Sequence, residues 1–313
     1  MNILITGVHG FVGSNLVEAL GARHTIFGLD IVAPQKKGVV KTYSWRDLEQ
    51  GNIPEVDAII HLAGKAHDTK NQAQAQVYFD INTGLTQKIY DYFLHASAQK
   101  FIFFSSVKAA ADIVPGGILT ESIVPNPVGP YGESKIKAEE YIQSKWPDNK
   151  SVYILRPCMI HGPGNKGNLN LLYQVVSKRI PWPLGSFENR RSFTSIGNLC
   201  FVIEGLISKP VPSGIYHIGD DEALSTNELI EVICEALGRK AHIWHINKGL
   251  MELIAHLSGF LRLPLNPERL RKLTENYVVS NAKIKSALGI RQMPIRAKDG
   301  LILTIRSFKD HSL

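Results

Sequence analysis

Tyr131 and Lys135 stand four residues apart in a segment that reads as a helix, a spacing that lets their side chains meet on one face. A free phenol ionises at about pH 10 and is a poor base at neutrality. An ammonium beside it stabilises the phenolate and moves that value toward operating pH. Ser106 closes the apolar run Lys100-Phe101-Ile102-Phe103-Phe104-Ser105-Ser106, so its hydroxyl stands at the carboxyl end of a predicted strand. A hydroxyl, a phenol and an ammonium together are suited to holding an alcohol oxygen and moving its proton. The bland alternative is an exposed Tyr with a solvated Lys, and a neighbouring cofactor site is what separates the two.

Such a site is written at the start of the chain. Ile3 to Thr6 are apolar or β-branched and read as a short buried strand. They run into Gly7-x-x-Gly10-x-x-Gly13, and Ser14 to Leu20 carry apolar residues at helical spacing. Strand, glycine turn and helix in that order fit the pyrophosphate of a dinucleotide, with Phe11 and Val12 inside the turn. Gly7 lets the chain turn sharply, Gly10 leaves no Cβ between backbone and phosphate, and Gly13 lets the helix sit close on the sheet. The helix N-terminus adds unpaired N–H groups and a positive dipole end. Thr25 to Asp30 reads as a second strand ending in a carboxylate placed to accept from the adenosine ribose hydroxyls. An acid there repels a 2′-phosphate and favours NAD over NADP, while Lys36 and Lys37 leave NADP open. A later strand, Asp57 to Leu62, runs into Ala63 and Gly64, and Leu62, Ala63 and Gly64 permit close approach of a flat ring or phosphate. With Tyr131 and Lys135 at the nicotinamide, the phenol takes a proton while hydride leaves the substrate carbon, or the reverse.

Strand and helix signals alternate through the first half, which predicts an α/β chain with a doubly wound parallel sheet of Rossmann type. A weak strand near Lys41–Ser44 precedes Asp47-Leu48, expected to pass the adenine edge. Helical patterns cover Ala73–Ala98, a Pro- and Gly-rich loop covers Ala111–Pro130, and a helix runs from Tyr131 to about Lys145. Val152–Leu155 is a strand ended by Arg156-Pro157. Beyond Gly162-Pro163-Gly164 the loops lengthen and Pro recurs. We expect residues 1–160 to form the cofactor domain carrying Ser106, Tyr131 and Lys135. Residues 161–313 are expected to form mainly a smaller C-terminal substrate-binding lobe, with some segments returning to the first domain.

The 313 residues are 44% hydrophobic and 20% charged, an ordinary globular balance. Cys158, Cys200 and Cys234 are widely spaced with no His at ligand spacing, so they read as buried thiols in a reducing compartment and no metal site is expected. The formal net charge of +7 is scattered in short clusters such as Lys36-Lys37 and Arg190-Arg191. Nucleic acid would want a denser basic face, whereas a nucleotide diphosphate suits scattered cations. Met1 leads straight into the first strand, leaving no room for a signal peptide, and a cytoplasmic protein is expected. Leu250–Leu265 is apolar but interrupted by Glu252, His256, Arg262 and Pro264, too short and polar to insert across a bilayer.

Thr6-Gly7-x-x-Gly10-Phe11-Val12-Gly13, Asp30, His61-Leu62-Ala63, Ser105-Ser106, Tyr131-x-x-x-Lys135 and Leu155-Arg156-Pro157 together resemble the extended short-chain dehydrogenase/reductase family. The nearer likeness is to its NAD-dependent nucleotide-sugar epimerase/dehydratase branch. Arg191 to Leu199 resembles that branch's Arg-Asp-aromatic segment, and Leu288-Gly289-Ile290, Pro294 and Gly300-Leu301 its C-terminal signature. The resemblance implies Ser106, Tyr131 and Lys135 as the catalytic set, with Ser106 also touching the sugar, and a structural role for Ser105. It implies substrate contacts at Asn168, in the turn Asn165–Asn168, and diphosphate contacts at Arg191 and Arg269. It also implies a homodimer through a two-helix pair.

Departures narrow the reading. His161 replaces the usual Tyr before Gly162-Pro163-Gly164, and Ser192 and Asn198 replace common acids. Val107-Lys108 stands where sugar 4,6-dehydratases carry an Asp-Glu pair, which disfavours elimination. The Ser-Ser-Val-Lys run and the segment Pro183–Ser192 look most like bacterial surface-polysaccharide enzymes working at sugar C4 of UDP-N-acetylhexosamines. The expectation is a 4-epimerase; the alternatives are a 4-keto-6-deoxy-sugar reductase consuming NAD(P)H, and an NAD-binding sensor without catalysis.

Overall fold

The computed structural model describes residues 1–65, 74–114, 117–165, 167–260 and 266–310. The first stretch holds β1 (Asn2–Thr6), α1 (Phe11–Leu20), β2 (Thr25–Leu29), β3 (Thr42–Tyr43), α2 (Trp45–Glu49) and β4 (Ala58–His61). There follow α3 (Ala75–Tyr78), a π-helical stretch Phe79–Gly84, α4 (Leu85–His95), β5 (Lys100–Phe104), α5 (Val107–Ala110), β6 (Ile118–Leu119), α6 (Pro130–Ser144) and β7 (Ser151–Pro157). The remainder is β8 (Met159–His161), α7 (Asn168–Ser177), β9 (Phe193–Ser195), α8 (Ile196–Ser208), β10 (Gly214–Ile218), α9 (Thr226–Ala236), α10 (Lys248–Phe260), α11 (Pro267–Thr274), β11 (Val278–Val279), α12 (Ala282–Leu288) and α13 (Ala297–Asp310).

Seven strands form one parallel sheet in the order β10-β7-β5-β4-β1-β2-β3. Its strands are apolar on both faces, as a sheet covered by helices on either side requires. Ile3 and Ile5 face one core with α1, α8 and α12, while Leu4 faces the other with α2, α4 and α6. Ile102 and Phe104 share the first core, Phe101 and Phe103 the second. This period of two is the strand's own geometry. A third core gathers α7, α9, α10, α11 and α13 into a lobe, while α8, β10 and α12 pack with the sheet. The later residues thus return to the sheet, where β10 pairs with β7 at its edge.

From β1 the chain winds outward through β2 and β3, then returns to lay β4 on the other side of β1. This reversal makes the carboxyl ends of β1 and β4 the topological switch point, the place where doubly wound sheets bind ligands. Two local expectations change. The first helix begins at Phe11, three residues before Ser14, because Gly10 already occupies its extended N-cap position. The helical stretch expected over Ala73–Ala98 is broken by the π-helical turns at Phe79–Gly84, and Ala73 itself lies outside the described residues.

Candidate active site

The glycine turn is shaped by contacts that leave no room for side chains. Gly7 has φ +67°, and a Cβ there would stand 3.0 Å from the Ala63 nitrogen, so the turn rests on the end of β4. A Cβ on Gly13 would come within 2.5 Å of the Gly7 carbonyl and 2.8 Å of Val8, which is why α1 can close onto the turn. No side chain caps the first turn of α1. Asp30, just past β2, accepts from the backbone N–H of His9 at 3.1 Å and so stands at the rim of the same turn. Lys36 donates to Ser14 at 2.7 Å on the neighbouring face of α1. A cradle without Cβ atoms, an uncapped helix start and a carboxylate at its rim together fit the diphosphate and ribose of a dinucleotide. Phe11 stands at this helix start, 3.8 Å from the Cβ position of Gly164, and Asn15 donates to the Pro163 carbonyl at 3.1 Å. The turn Gly162–Gly164 therefore roofs α1. Asp47, by contrast, is turned to Ser44 in a capping box on α2.

Thr6, fully buried at the end of β1, organises the far wall. Its hydroxyl accepts from the Leu62 and Ala63 N–H groups at 3.1 and 2.9 Å and bonds His61 at 2.7 Å. Burial, then the charge of Lys135, lowers the His61 pKa to about 3, so the ring is neutral. Asn82, in the π-helical stretch, accepts from the Lys65 N–H at 2.8 Å and donates to Ser134 at 2.9 Å. It thereby ties the loop after β4 to α6. Asn82 is a site-building residue outside every motif, its available signal a polar residue amid an apolar pattern, and Thr6 stands in the glycine motif without a role assigned to its hydroxyl.

Gly64 completes this wall, and a Cβ there would meet Asn82 Oδ1 at 2.9 Å and Lys135 Nζ at 3.2 Å. Lys135 is buried and donates to the Phe104 carbonyl at 2.7 Å. Burial lowers its pKa to about 8, with Glu139 pulling the other way. One turn earlier on α6, half-buried Tyr131 bonds the Ser106 side chain and packs edge-on to Tyr78 with ring centroids 6.3 Å apart. Its pKa is raised, not lowered: burial is the largest cause, the Ser106 hydrogen bond opposes it, and Tyr78 adds to it. The Lys135 ammonium, which donates to the Phe104 carbonyl, is not among the causes of this shift, and an acidified phenol needs the positive ring of an oxidised nicotinamide. Ser106 itself caps α5, accepting from the Lys108 N–H at 3.2 Å. Ser105 points the other way, donating to the buried Glu139 that pairs with Arg156.

On the lobe side, Tyr277 donates to the Ala111 carbonyl at 2.7 Å, and Lys108 lies 4.6 Å from its ring centroid. Arg191 bridges to Tyr277 through its backbone, and its guanidinium donates to the Lys272 carbonyl at the end of α11. Burial lowers its pKa. Arg191 is thus joined through Tyr277 to the segment that follows Ser106, a link no motif announced. The side chains of Asn168 and Arg269 lie outside the described residues, though α7 and α11 place both in the lobe. Among the described residues no cluster of His, Cys, Asp or Glu could hold a metal ion, and no helix is long and apolar enough to cross a membrane.

The chain is similar to known proteins along most of its length. The NAD dependent epimerase/dehydratase family model matches residues 3–219. A UDP-glucose 4-epimerase of Vibrio cholerae is 29% identical over 98% of this chain and 95% of its own. An N-acetyl-α-D-glucosaminyl-diphospho-ditrans,octacis-undecaprenol 4-epimerase of Escherichia coli O157:H7 is 27% identical over 91% of this chain and 84% of its own. The solved structure of MoeE5 in complex with UDP-glucuronic acid and NAD superimposes over the whole of both chains with a TM-score of 0.76 at 21% identity.

Proposed function

The chain belongs to the NAD dependent epimerase/dehydratase family, and from that premise we propose that it works at sugar C4 of a UDP-linked N-acetylhexosamine as a 4-epimerase. One observation carries the reading. Lys135 Nζ meets the Gly64 turn beside the glycine cradle, and one helical turn away the Tyr131 hydroxyl bonds Ser106. Acid/base chemistry and a dinucleotide seat therefore share one crevice.

In this proposal Gly7, Gly10, Phe11, Val12 and Gly13 hold the pyrophosphate of NAD, and Asp30 holds the adenosine ribose. Leu62, Ala63 and Gly64 line its path toward Tyr131 and Lys135. NAD supplies a hydride acceptor and donor when bound. Tyr131 takes the C4 hydroxyl proton and later returns it, and Ser106 fixes the oxygen that loses it. Lys135, kept charged below about pH 8, steadies the phenolate that forms. The sugar diphosphate is assigned to Asn168, Arg191 and Arg269, with Arg191 exchanging the Lys272 carbonyl for phosphate oxygen. Epimerisation further requires the 4-keto sugar to turn over between two hydride transfers without leaving.

The same residues serve a reductase of 4-keto-6-deoxy sugars, which would consume NAD(P)H each cycle. Incubating the purified protein with UDP-GlcNAc and, separately, with a UDP-4-keto-6-deoxy-HexNAc, and reading products by NMR, tests the assignment. Formation of UDP-GalNAc, the C4 epimer, from UDP-GlcNAc without added cofactor supports the epimerase. Stoichiometric NAD(P)H loss with only the keto sugar supports the reductase. No turnover on any UDP or dTDP sugar, with NAD still bound, favours a sensor. The homodimer belongs to the same proposal and is checked by light scattering.

A further inference from the structure

Helix α10 carries two apolar stripes. Met251 and Ala255 are buried in the lobe core, one turn apart. Leu250, Leu253, Ile254 and Leu257 follow the i, i+3, i+4, i+7 spacing of a second stripe, and they are 50, 56, 38 and 58% exposed. Trp244, just before the helix, is 55% exposed. Single exposed leucines need no explanation, but four apolar side chains in one stripe beside an exposed indole mark a surface that something covers.

The charge of the segment that holds this stripe indicates what that is. From Arg239 to Lys272 the sequence holds seven Lys and Arg against two acids, Glu252 and Glu268, so this segment carries a net +5 of the chain's formal +7. Lys248 at the start of α10 is exposed, as are Arg271 and Lys272 on α11, which packs against α10. We propose that this face rests on an anionic lipid surface. Helix α10 lies in the plane of the interface with the leucines among the upper acyl chains, Trp244 at headgroup level, and the cations on lipid phosphates. A second copy of the chain is the poorer occupant, because a symmetric contact would set the +5 segment against itself. The attachment is peripheral, since no described helix is long enough to span. It shares Arg269 with the reaction proposed above, and its test reads vesicle binding and not turnover.

Vesicle co-sedimentation of the full chain tests it. The expected result is binding to phosphatidylglycerol vesicles, weak binding to pure phosphatidylcholine, and release as salt rises. The exposed-stripe variant Leu253→Glu/Leu257→Glu should lose about tenfold in vesicle affinity while circular dichroism and NAD binding stay unchanged. A second variant, Lys248→Glu/Arg271→Glu, should weaken binding at low salt and little at high salt. Wild-type protein that stays in the supernatant with phosphatidylglycerol would overturn the proposal. So would either variant binding as well as wild type. A wild-type dimer that Leu253→Glu/Leu257→Glu splits into monomers would assign the face to a second copy and equally overturn it.

Discussion

Arg156 of β7 donates from Nε to both carboxylate oxygens of Glu139 on α6, at 3.0 and 3.1 Å, in an ion pair whose side chains are 2 and 0% exposed. Ser105 donates to the same carboxylate. Glu139 lies one turn after Lys135, so the pair fastens the lysine-bearing turn of α6 to the carboxyl ends of β5 and β7.

Removing one partner of such a pair leaves a buried charge unmatched. Glu139→Ala is expected to lower stability by about 3–5 kcal/mol in urea unfolding, with Glu139→Gln recovering part of it. A loss under about 1 kcal/mol would show that the pair does not fasten the helix.

The glycine cradle makes a sharper contrast. Gly13→Ala places a Cβ 2.5 Å from the Gly7 carbonyl and must push α1 off the turn. A stability loss of about 1–3 kcal/mol is expected, with NAD affinity reduced at least about tenfold by titration. At Gly10 the nearest atom is the Gly7 carbonyl at 3.2 Å, so Gly10→Ala should weaken NAD binding while changing stability by less than about 1 kcal/mol. Equal effects of the two on stability would contradict the geometry.

Lys135 sets a dependence on pH. Its folded pKa of about 8 lies below the ordinary 10.5, and burial is the main cause. The fold therefore holds this proton less tightly than the unfolded chain does. Below pH 8 both states are charged and the fold bears the whole penalty; between 8 and 10.5 the penalty lifts, so stability rises with pH from this group. Lys135→Met should gain up to about 3 kcal/mol at pH 7, and the gain should shrink from pH 8 upward as turnover stays abolished. A difference constant over that range would count against a strained, buried ammonium.

Much of this is legible in the residues themselves. The sheet is readable because Ile3 and Ile5 face one core and Leu4 the other, a pattern that needs no distant partner. The glycine turn is readable because its residues act on their own backbone. What escapes depends on contacts remote in sequence. Asn82 reaches Ser134 across 52 residues, and Tyr277 reaches Ala111 across 166. Helix α5 and strand β6 have four and two residues, too short to show a period. The direction of the Tyr131 shift runs against the sequence expectation because spacing reports a lysine nearby but neither the burial of the phenol nor the turn of that lysine to the Phe104 carbonyl. Arg191 stands out in the sequence as a cation, yet its bond to the end of α11 belongs to the fold and not to its motif.

Tyr131→Phe tests the central claim most directly, because it removes one oxygen from a ring that keeps its packing on Tyr78. Turnover of UDP-GlcNAc should fall by about 10²–10⁴-fold while NAD affinity stays within about threefold of wild type. Turnover that survives the substitution, or NAD binding lost together with it, would show that the phenol is not the proton carrier.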